Sequence, residues 1–337
     1  MQYEIKTTSI EPKRNAFKSV EARFGARPAS RYEEVSYDVQ PLENFHYRPR
    51  WAPDHRIFDP SFSALRLTDY DDYRDPRQYY YASYNLARAQ ALEVVRSNFT
   101  FIEEHGLIEK LDPAWIGRGV CMLPAMRHYE YGAMLTLAEA GRFSFGTAIA
   151  QAISFACFDR MGNSELLTRW LILLTNDPGT TLDAGKEAWL TDPMHQGLRE
   201  MTERLWVADD WGEQVVGLYL ALDVKLHRLL FSELAAAADR DGAVAISLSA
   251  RYFADWQLND LQWLRQLLLG FVSDAEHGPA NKELIREWFG TWRARADAAI
   301  EPYGALFAGT GYEGGAHAAI AAAGGFRDEL LSEVGLG

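Results

Sequence analysis

The chain has 337 residues, and its 34 Lys and Arg against 47 Asp and Glu give a formal net charge of -13. Such an acidic chain lacks the basic face needed to bind nucleic-acid phosphates or anionic membranes, and its 48% hydrophobic residues exclude a disordered protein. Its two cysteines exclude a disulfide scaffold and are typical of a reducing compartment. The N-terminus has no signal-peptide pattern, and no apolar run reaches the roughly 20 residues of a membrane span. We therefore expect a cytoplasmic protein with no nucleic-acid or membrane partner.

The first 75 residues are predicted to form an extended arm. Seven of the thirteen prolines lie in the first 76 residues, and proline in a helix interior removes a hydrogen bond and clashes with the preceding turn. Only residues 3–7 alternate in the manner of a strand. Because the arm is rich in aromatic residues, it must lie on a surface, which is either the chain's own helical body or a partner chain. Its aromatic residues include Tyr32, Tyr37, Phe45, Tyr47, Trp51, Phe58 and Phe62.

The rest of the chain is predicted to be all-α, with long helices in a bundle spanning residues 76–305. Asp-Pro pairs mark helix starts, because Asp caps the N-terminus and Pro fits the first turn. The segment 211–238 is apolar on most of its circumference, which indicates a central helix. A Gly-rich, loosely held tail is expected at residues 306–337. The predicted helices are approximately 75–105, a short and a longer helix within 112–140, one or two within 144–175, then a helix from 192, and 211–238, 246–271 and 282–300.

Long-helix bundles can hold carboxylate-bridged di-iron sites, which need Glu-x-x-His pairs on helices. The only such pair is Glu43-Asn44-Phe45-His46, which lies in the arm and is interpreted as a chance match. His277 follows Asp274 by three residues but lies in a loop before a proline. His128 lies on a predicted helix, yet the residue three before it is Ala125.

His227 has Asp223 one turn before it, and we expect this pair to make a helix-surface or interfacial contact. Glu93, near Arg96, is expected to be an ordinary solvated or paired carboxylate. Phosphate-binding loops, Cys-x-x-Cys pairs and nucleophile elbows are absent from the sequence. Cys121 and Cys157 are expected to be small buried hydrophobes. We therefore predict no catalytic, cofactor-binding or metal-binding residue in this chain.

An aromatic block, Tyr79, Tyr80, Tyr81 and Tyr84, is predicted where the first long helix begins. Consecutive helical residues cannot all face one side. We expect the block to divide between core packing and partner contact.

Four motifs give the chain a resemblance to a known family. They are residues 44–51 (NFHYRPRW), 75–81 (DPRQYYY), 127–130 (RHYE) and 210–213 (DWGE). The chain resembles the β, or small oxygenase, subunit of bacterial multicomponent di-iron monooxygenases. Residues 4–7 and 31–34 are most similar to the phenol hydroxylase branch. The resemblance covers residues 1–230 well and the remainder weakly, so toluene, propane and alkene branches stay open.

The resemblance implies a ferritin-like fold and a dimer of α, β and γ subunits. In that family the α subunit holds the di-iron centre and hydroxylates an aromatic or small hydrocarbon with O2. An NADH-dependent reductase supplies the electrons, and a regulatory protein docks on the oxygenase. The β subunit has lost the metal ligands, and Ala125 with His128 resembles the trace of one lost pair.

The sequence therefore predicts a non-catalytic structural subunit that scaffolds the α subunits. The alternatives are a self-sufficient di-iron enzyme or ligand-binding bundle, and a free-standing helical adaptor. The arm and the start of the first helix are predicted to contact the partner. The interface residues are predicted to be Phe45, His46, Tyr47, Arg48, Trp51, Tyr79 and Tyr80.

Overall fold

The computed structural model describes residues 18–27, 29–40, 42 and 47–337. Over these residues the secondary structure is helical with no strand, which confirms the predicted all-α class. The alternation at residues 3–7 lies outside the described part. Among the described helices, none is long and apolar enough to cross a membrane. The helices are α1 (Lys18–Phe24), α2 (Arg31–Ser36), α3 (Tyr81–Glu104), α4 (Pro113–Phe143), α5 (Thr147–Leu174), α6 (Pro178–Thr191), α7 (Pro193–Leu205), α8 (residues 211–240), α9 (Val244–Ser273), α10 (Gly278–Ile300) and α11 (Gly315–Glu333), with 3-10 turns at Pro60–Phe62, Tyr70–Asp72 and Glu301–Phe307.

Three predicted helix starts are confirmed, and in each an aspartate caps the first turn. Asp112, Asp192 and Asp210 each accept a hydrogen bond from the backbone N–H two residues later. The start predicted at Asp75 is wrong, although its carboxylate accepts the same kind of bond from the Arg77 N–H and also binds the Arg77 guanidinium. Gln78 then has a φ of 48°, a left-handed conformation that a helix cannot contain. The helix α3 therefore begins at Tyr81.

Helix α4 is one continuous helix, although a short helix followed by a longer one was predicted. Pro124 lies inside it, and the chain continues helically through the missing hydrogen bond. Gly185 of α6 lies against the Pro124 ring, where an added Cβ would come within 2.2 Å of the proline Cβ. Helix α5 also runs without a break through Gly162.

Helix α8 is the central helix, as its sequence predicts. Its residues between 215 and 231 are buried on every side except at Arg228. It packs against α4, α9, α10 and α11. Two stretches of α8 are π-helical, Val216–Asp223 and Arg228–Glu233.

The described part of the arm lies against the chain's own body and includes the short helices α1 and α2. Asp210 accepts a hydrogen bond from the Ala64 N–H at 2.6 Å, and Asp274 accepts one from the Thr68 N–H at 2.7 Å. Asn281 bonds both the N–H and the carbonyl of Arg66. Residues 64–68 therefore lie on the chain's own helical body, which is one of the two surfaces considered for the arm.

The C-terminal segment corrects the prediction of a loosely held tail. Residues 315–333 form α11, and Ala319, Ala323 and Leu330 are almost fully buried. Arg327 is 1% exposed, and its guanidinium donates to the carbonyl of Ala221 at 3.0 Å. The glycines at 324 and 325 face open space and do not interrupt the helix.

Candidate functional site

The centre of the bundle contains a layer of buried acidic side chains, one from each of four helices. Glu130 comes from α4, Asp159 from α5, Asp223 from α8 and Asp260 from α9, and each residue is at most 3% exposed. A buried carboxylate without a cation or hydrogen-bond donors costs several kcal/mol. Each of the four must therefore find its partners inside the chain.

Two cations and two carboxylates form the inner group of this layer, which we call the ionic quartet: Glu130, Arg160, Asp223 and His227. The Arg160 Nη1 lies 3.3 Å from Glu130 Oε2, and its Nη2 donates to Asp223 Oδ2. The His227 Nε2 lies 2.6 Å from Glu130 Oε1, and its Nδ1 lies 3.3 Å from Asp223 Oδ1. Tyr129 also donates its hydroxyl hydrogen to Asp223. The quartet carries no net charge when Arg160 and His227 are protonated and both carboxylates are ionised.

The electrostatic environment keeps Asp223 and His227 charged. Burial lowers the pKa of His227, but the negative charges of Asp223 and Glu130 outweigh burial and raise that pKa to about 9. Burial raises the pKa of Asp223, but Arg160 and His227 outweigh it, so the net pKa is lowered. His227 is therefore an imidazolium at neutral pH and holds the two carboxylates on α4 and α8 together.

Asp159 is held by a second group of partners at the edge of the quartet. Arg88 of α3 donates to it through Nη2 at 2.5 Å, and the Tyr84 hydroxyl donates at 2.8 Å. The Trp256 Nε1 of α9 donates at 3.1 Å. This carboxylate thus ties α5 to α3 and α9.

Asp260 is held by a third group. Arg77 Nη1 lies 3.2 Å from Oδ1, the Tyr219 hydroxyl donates at 2.8 Å and the Trp263 Nε1 donates at 3.0 Å. Burial raises the pKa of Asp260, and the positive charge of Arg77 only partly opposes that effect. All four carboxylates are therefore committed to cations and donors of this chain.

Side chains of neighbouring helices bind the backbone of α8 near its quartet residues. Gln257 of α9 donates to the carbonyl groups of Asp223 and Val224, each at 3.2 Å. Arg327 donates to Ala221 in the same stretch. Side chains from two neighbouring helices thus hold the backbone that carries Asp223 and His227.

The donor set does not fit a di-iron site. Such a site takes one carboxylate from each of two helices and a Glu-x-x-His pair from each of two others. Here α5 offers Arg160 and Asn163 three residues apart, and neither is a metal ligand. Within the described residues, no group of three or more His, Cys, Asp or Glu could hold a metal ion.

The predicted interface residues of the arm are on the surface where they are described. Phe45 and His46 lie outside the described residues. Tyr47 is 79% exposed, and Arg48 is also exposed. Trp51 is 57% exposed, with one edge packed against the chain's own Phe62 and Phe143.

The aromatic block divides between core and surface, and Tyr79, predicted as an interface residue, lies on the core side. Tyr79 is buried, donates to Asn259 Oδ1 at 3.1 Å and packs edge-on against Tyr84. Tyr79 is only 8% exposed and therefore offers little surface to a partner. Tyr80 is half-buried against the core, whereas Tyr81 is 75% exposed.

The quartet is not predicted by the spacing of the histidines in the sequence. His227 and Asp223 are fully buried instead of making a surface or interfacial contact, so that prediction is wrong. His128 lies away from the quartet, stacked on Trp189 at 5.8 Å, and burial lowers its pKa. The signal available in the sequence was a carboxylate and a histidine one turn apart in a helix that is apolar on most of its circumference.

Glu93 and Arg96 form an exposed ion pair at 3.0 Å, as predicted. Cys157 is buried as predicted, whereas Cys121 is half-buried. Burial raises the pKa of both thiols, so neither is an activated nucleophile.

The chain is similar to subunits of multicomponent oxygenases. The family model described as Methane/Phenol/Alkene Hydroxylase matches residues 51–275. The phenol 2-monooxygenase oxygenase component DmpL of Pseudomonas sp. (strain CF600) is 33% identical over 90% of each chain. The methane monooxygenase component A beta chain of Methylosinus trichosporium is 23% identical, over 84% of this chain and 75% of that protein.

A solved structure has the same fold over nearly the whole chain. It is the xenon-pressurized phenol hydroxylase from Pseudomonas sp. OX1, with a TM-score of 0.84 and 30% identity. The match covers 97% of this chain and 98% of that one.

Proposed function

The chain belongs to the methane/phenol/alkene hydroxylase family, and we propose that it is the non-catalytic structural subunit of the oxygenase component. Membership agrees with the resemblance to β subunits of the phenol hydroxylase type. The complex would hydroxylate phenol or related aromatics and hydrocarbons with O2 and electrons from NADH. In this proposal the chain scaffolds a dimer of catalytic α subunits, together with γ subunits, and the di-iron centre belongs to α.

The observation that supports a non-catalytic role is the pairing of the inner carboxylates. Glu130 and Asp223 are shared between Arg160 and His227, while Asp159 and Asp260 are held by Arg88 and Arg77. A metal ion needs free lone pairs on such oxygens, and the protein's own cations already use them. The alternative of a self-sufficient di-iron enzyme would require these ion pairs to open.

Metal analysis of the purified full-length chain tests this proposal. We expect no stoichiometric iron in the chain alone, and iron only in preparations that contain the catalytic partner. The matched control is the co-expressed complex, which must contain iron and hydroxylate phenol under the same conditions. Stoichiometric iron in the isolated chain, with the absorption of a carboxylate-bridged pair, would refute the non-catalytic role.

The partner contact is proposed for the exposed aromatic part of the arm. Tyr47, Arg48 and Trp51 are the described residues there, and aromatic and Arg side chains carry much of the binding energy in protein interfaces. Phe45 and His46 are proposed on sequence alone. A double change, Tyr47→Ser with Arg48→Ser, is expected to weaken co-purification with the α partner. Val207→Ser is the control, since Val207 is 77% exposed and lies outside the arm; equal co-purification of both variants would contradict the arm's role.

Two further parts of the proposal come from the family resemblance and the chain's chemistry. Contacts with the regulatory protein or the reductase are proposed from the resemblance. A cytoplasmic location is supported by both cysteines being free thiols.

A further inference from the structure

The guanidinium of Arg160 lies where four helices of the bundle meet. Arg160 comes from α5, is fully buried and contacts Glu130 of α4 and Asp223 of α8. The Tyr219 and Trp256 rings also contact it, with centroids 5.2 and 4.9 Å from its central carbon. The positive charge of Arg160 is therefore in contact with two carboxylates and two aromatic rings.

The side chains around Arg160 are arranged as in a carboxylate-bridged metal site. Such sites in bundles take single carboxylates from two helices and residues three apart from two others. In this chain the two single-carboxylate positions hold carboxylates, whereas the positions of the two Glu-x-x-His pairs hold other residues. The single carboxylates are Glu130 and Asp223, and the residues three apart are Arg160 with Asn163 on α5 and Gln257 with Asp260 on α9.

We propose that Arg160 is a built-in cation that takes the place of a metal ion in this bundle. Its guanidinium binds Glu130 and Asp223 from two different helices, which is what a bridging cation does. It is tethered to α5, so the bridge cannot dissociate. The inference rests on the proposed function, because a chain that fills this position with its own cation has no place there for iron.

Charge balance predicts what happens when the guanidinium is removed. In Arg160→Ala, Glu130 and Asp223 carry two negative charges against one on His227. A divalent cation can enter if His227 loses its proton and becomes a nitrogen ligand, which again gives a neutral site. Free guanidinium can enter instead with His227 still protonated. Both cations should therefore stabilise the variant and leave the wild type unchanged.

The test compares purified full-length wild type, Arg160→Ala and Arg88→Ala. Arg88→Ala is the matched control, because it also removes an arginine paired with an inner carboxylate, Asp159, but one at the edge of the layer. Melting curves are recorded with NaCl, guanidinium chloride at low millimolar concentration, and CoCl2. We expect Arg160→Ala to melt several degrees below wild type, and to recover part of that loss with guanidinium or Co2+. Arg88→Ala is expected to show no recovery with Co2+, because the other partners of Asp159 are the Tyr84 hydroxyl and the Trp256 indole, which supply no second carboxylate or imidazole ligand.

Titration calorimetry with Co2+ gives a second measurement. We expect binding to Arg160→Ala that saturates at one ion per chain and releases a proton, measured in buffers of different ionisation enthalpy. Adding Asp223→Asn to Arg160→Ala should abolish it. If Arg160→Ala binds no more Co2+ than wild type and gains nothing from guanidinium, the inference is wrong.

A separate pair of variants applies if Arg160→Ala does not fold. Arg160→Met alone leaves an excess negative charge, whereas Arg160→Met with Asp223→Asn leaves Glu130 and His227 as a neutral pair. If Arg160 acts as a cation, the double variant melts at a higher temperature than the single one. If it melts at the same or a lower temperature, Arg160 acts by packing and the inference fails. The iron content of the wild-type chain tests the proposed function independently.

Discussion

Stability between pH 7 and pH 9 should depend on His227. Its pKa is raised to about 9 in the folded protein, because Asp223 and Glu130 outweigh the effect of burial. In the unfolded chain the ordinary value is about 6.5. Because the folded pKa is the higher one, the contribution is complete below the unfolded pKa and is lost as pH rises through about 9.

The size of the effect follows from these two pKa values. The contribution is on the order of 2–3 kcal/mol at pH 7 and less than about 1 kcal/mol at pH 9, so most of it is lost across this interval. His227→Gln keeps a hydrogen-bonding side chain but removes the titrating group. The free-energy difference between wild type and variant should therefore narrow as pH rises.

Urea unfolding at pH 7, 8 and 9 measures this difference directly. His128→Gln is the control, because burial lowers the pKa of His128, so it is neutral throughout this range. We expect the control to follow the wild-type pH dependence, and His227→Gln to show a shallower one. Parallel curves for wild type and His227→Gln would refute the assignment of His227 as a buried imidazolium.

Two pairs of substitutions test the α4–α6 contact and the burial of the aromatic block, and urea unfolding measures the effect of each. Gly185→Ala should cost about 1–3 kcal/mol, because its Cβ would meet the rigid Pro124 ring, whereas Gly290→Ala faces open space and should stabilise by up to about 1 kcal/mol. Equal effects of the two would contradict the α4–α6 contact. Tyr79→Ala should cost about 3–5 kcal/mol because the ring is buried, and Tyr81→Ala should change stability by less than about 0.5 kcal/mol because it is exposed. A large loss in Tyr81→Ala would contradict the division of the aromatic block.

Helices could be predicted from the sequence where the signal was local. Asp112 and Asp192 cap the helices that follow them, and Pro fills the first turn in both. The same two residues at Asp75 do not start a helix. Asp75 accepts a bond from the Arg77 N–H as a cap would, but the Arg77 side chain pairs with the distant Asp260 and Gln78 takes a left-handed conformation. Tertiary contacts decided that boundary, and no local pattern contains them.

The ionic quartet was hidden from sequence reasoning for a different reason. A search for Glu-x-x-His pairs finds ligands that share one helix face, whereas Glu130 and His227 are 97 residues apart and meet only in the fold. Arg160 is not a metal ligand, so a metal search passes over it. What could be predicted was the frame of long helices and the central position of α8. The partners of its buried charges could not be predicted, because they come from α4, α5 and α9.

The quartet also constrains how the helices can be arranged. Its ion pairs join α4, α5 and α8, and a shift of one residue along any of them would move a charge away from its partner. Breaking a buried pair by removing one partner typically costs about 3–5 kcal/mol, whereas apolar contacts between the same helices tolerate small shifts at much lower cost. Apolar burial therefore supplies most of the stability of this bundle, and the quartet selects one register among the packings that apolar burial alone would allow. The charges at the centre of this bundle thus also fix which surfaces the helices present to the outside.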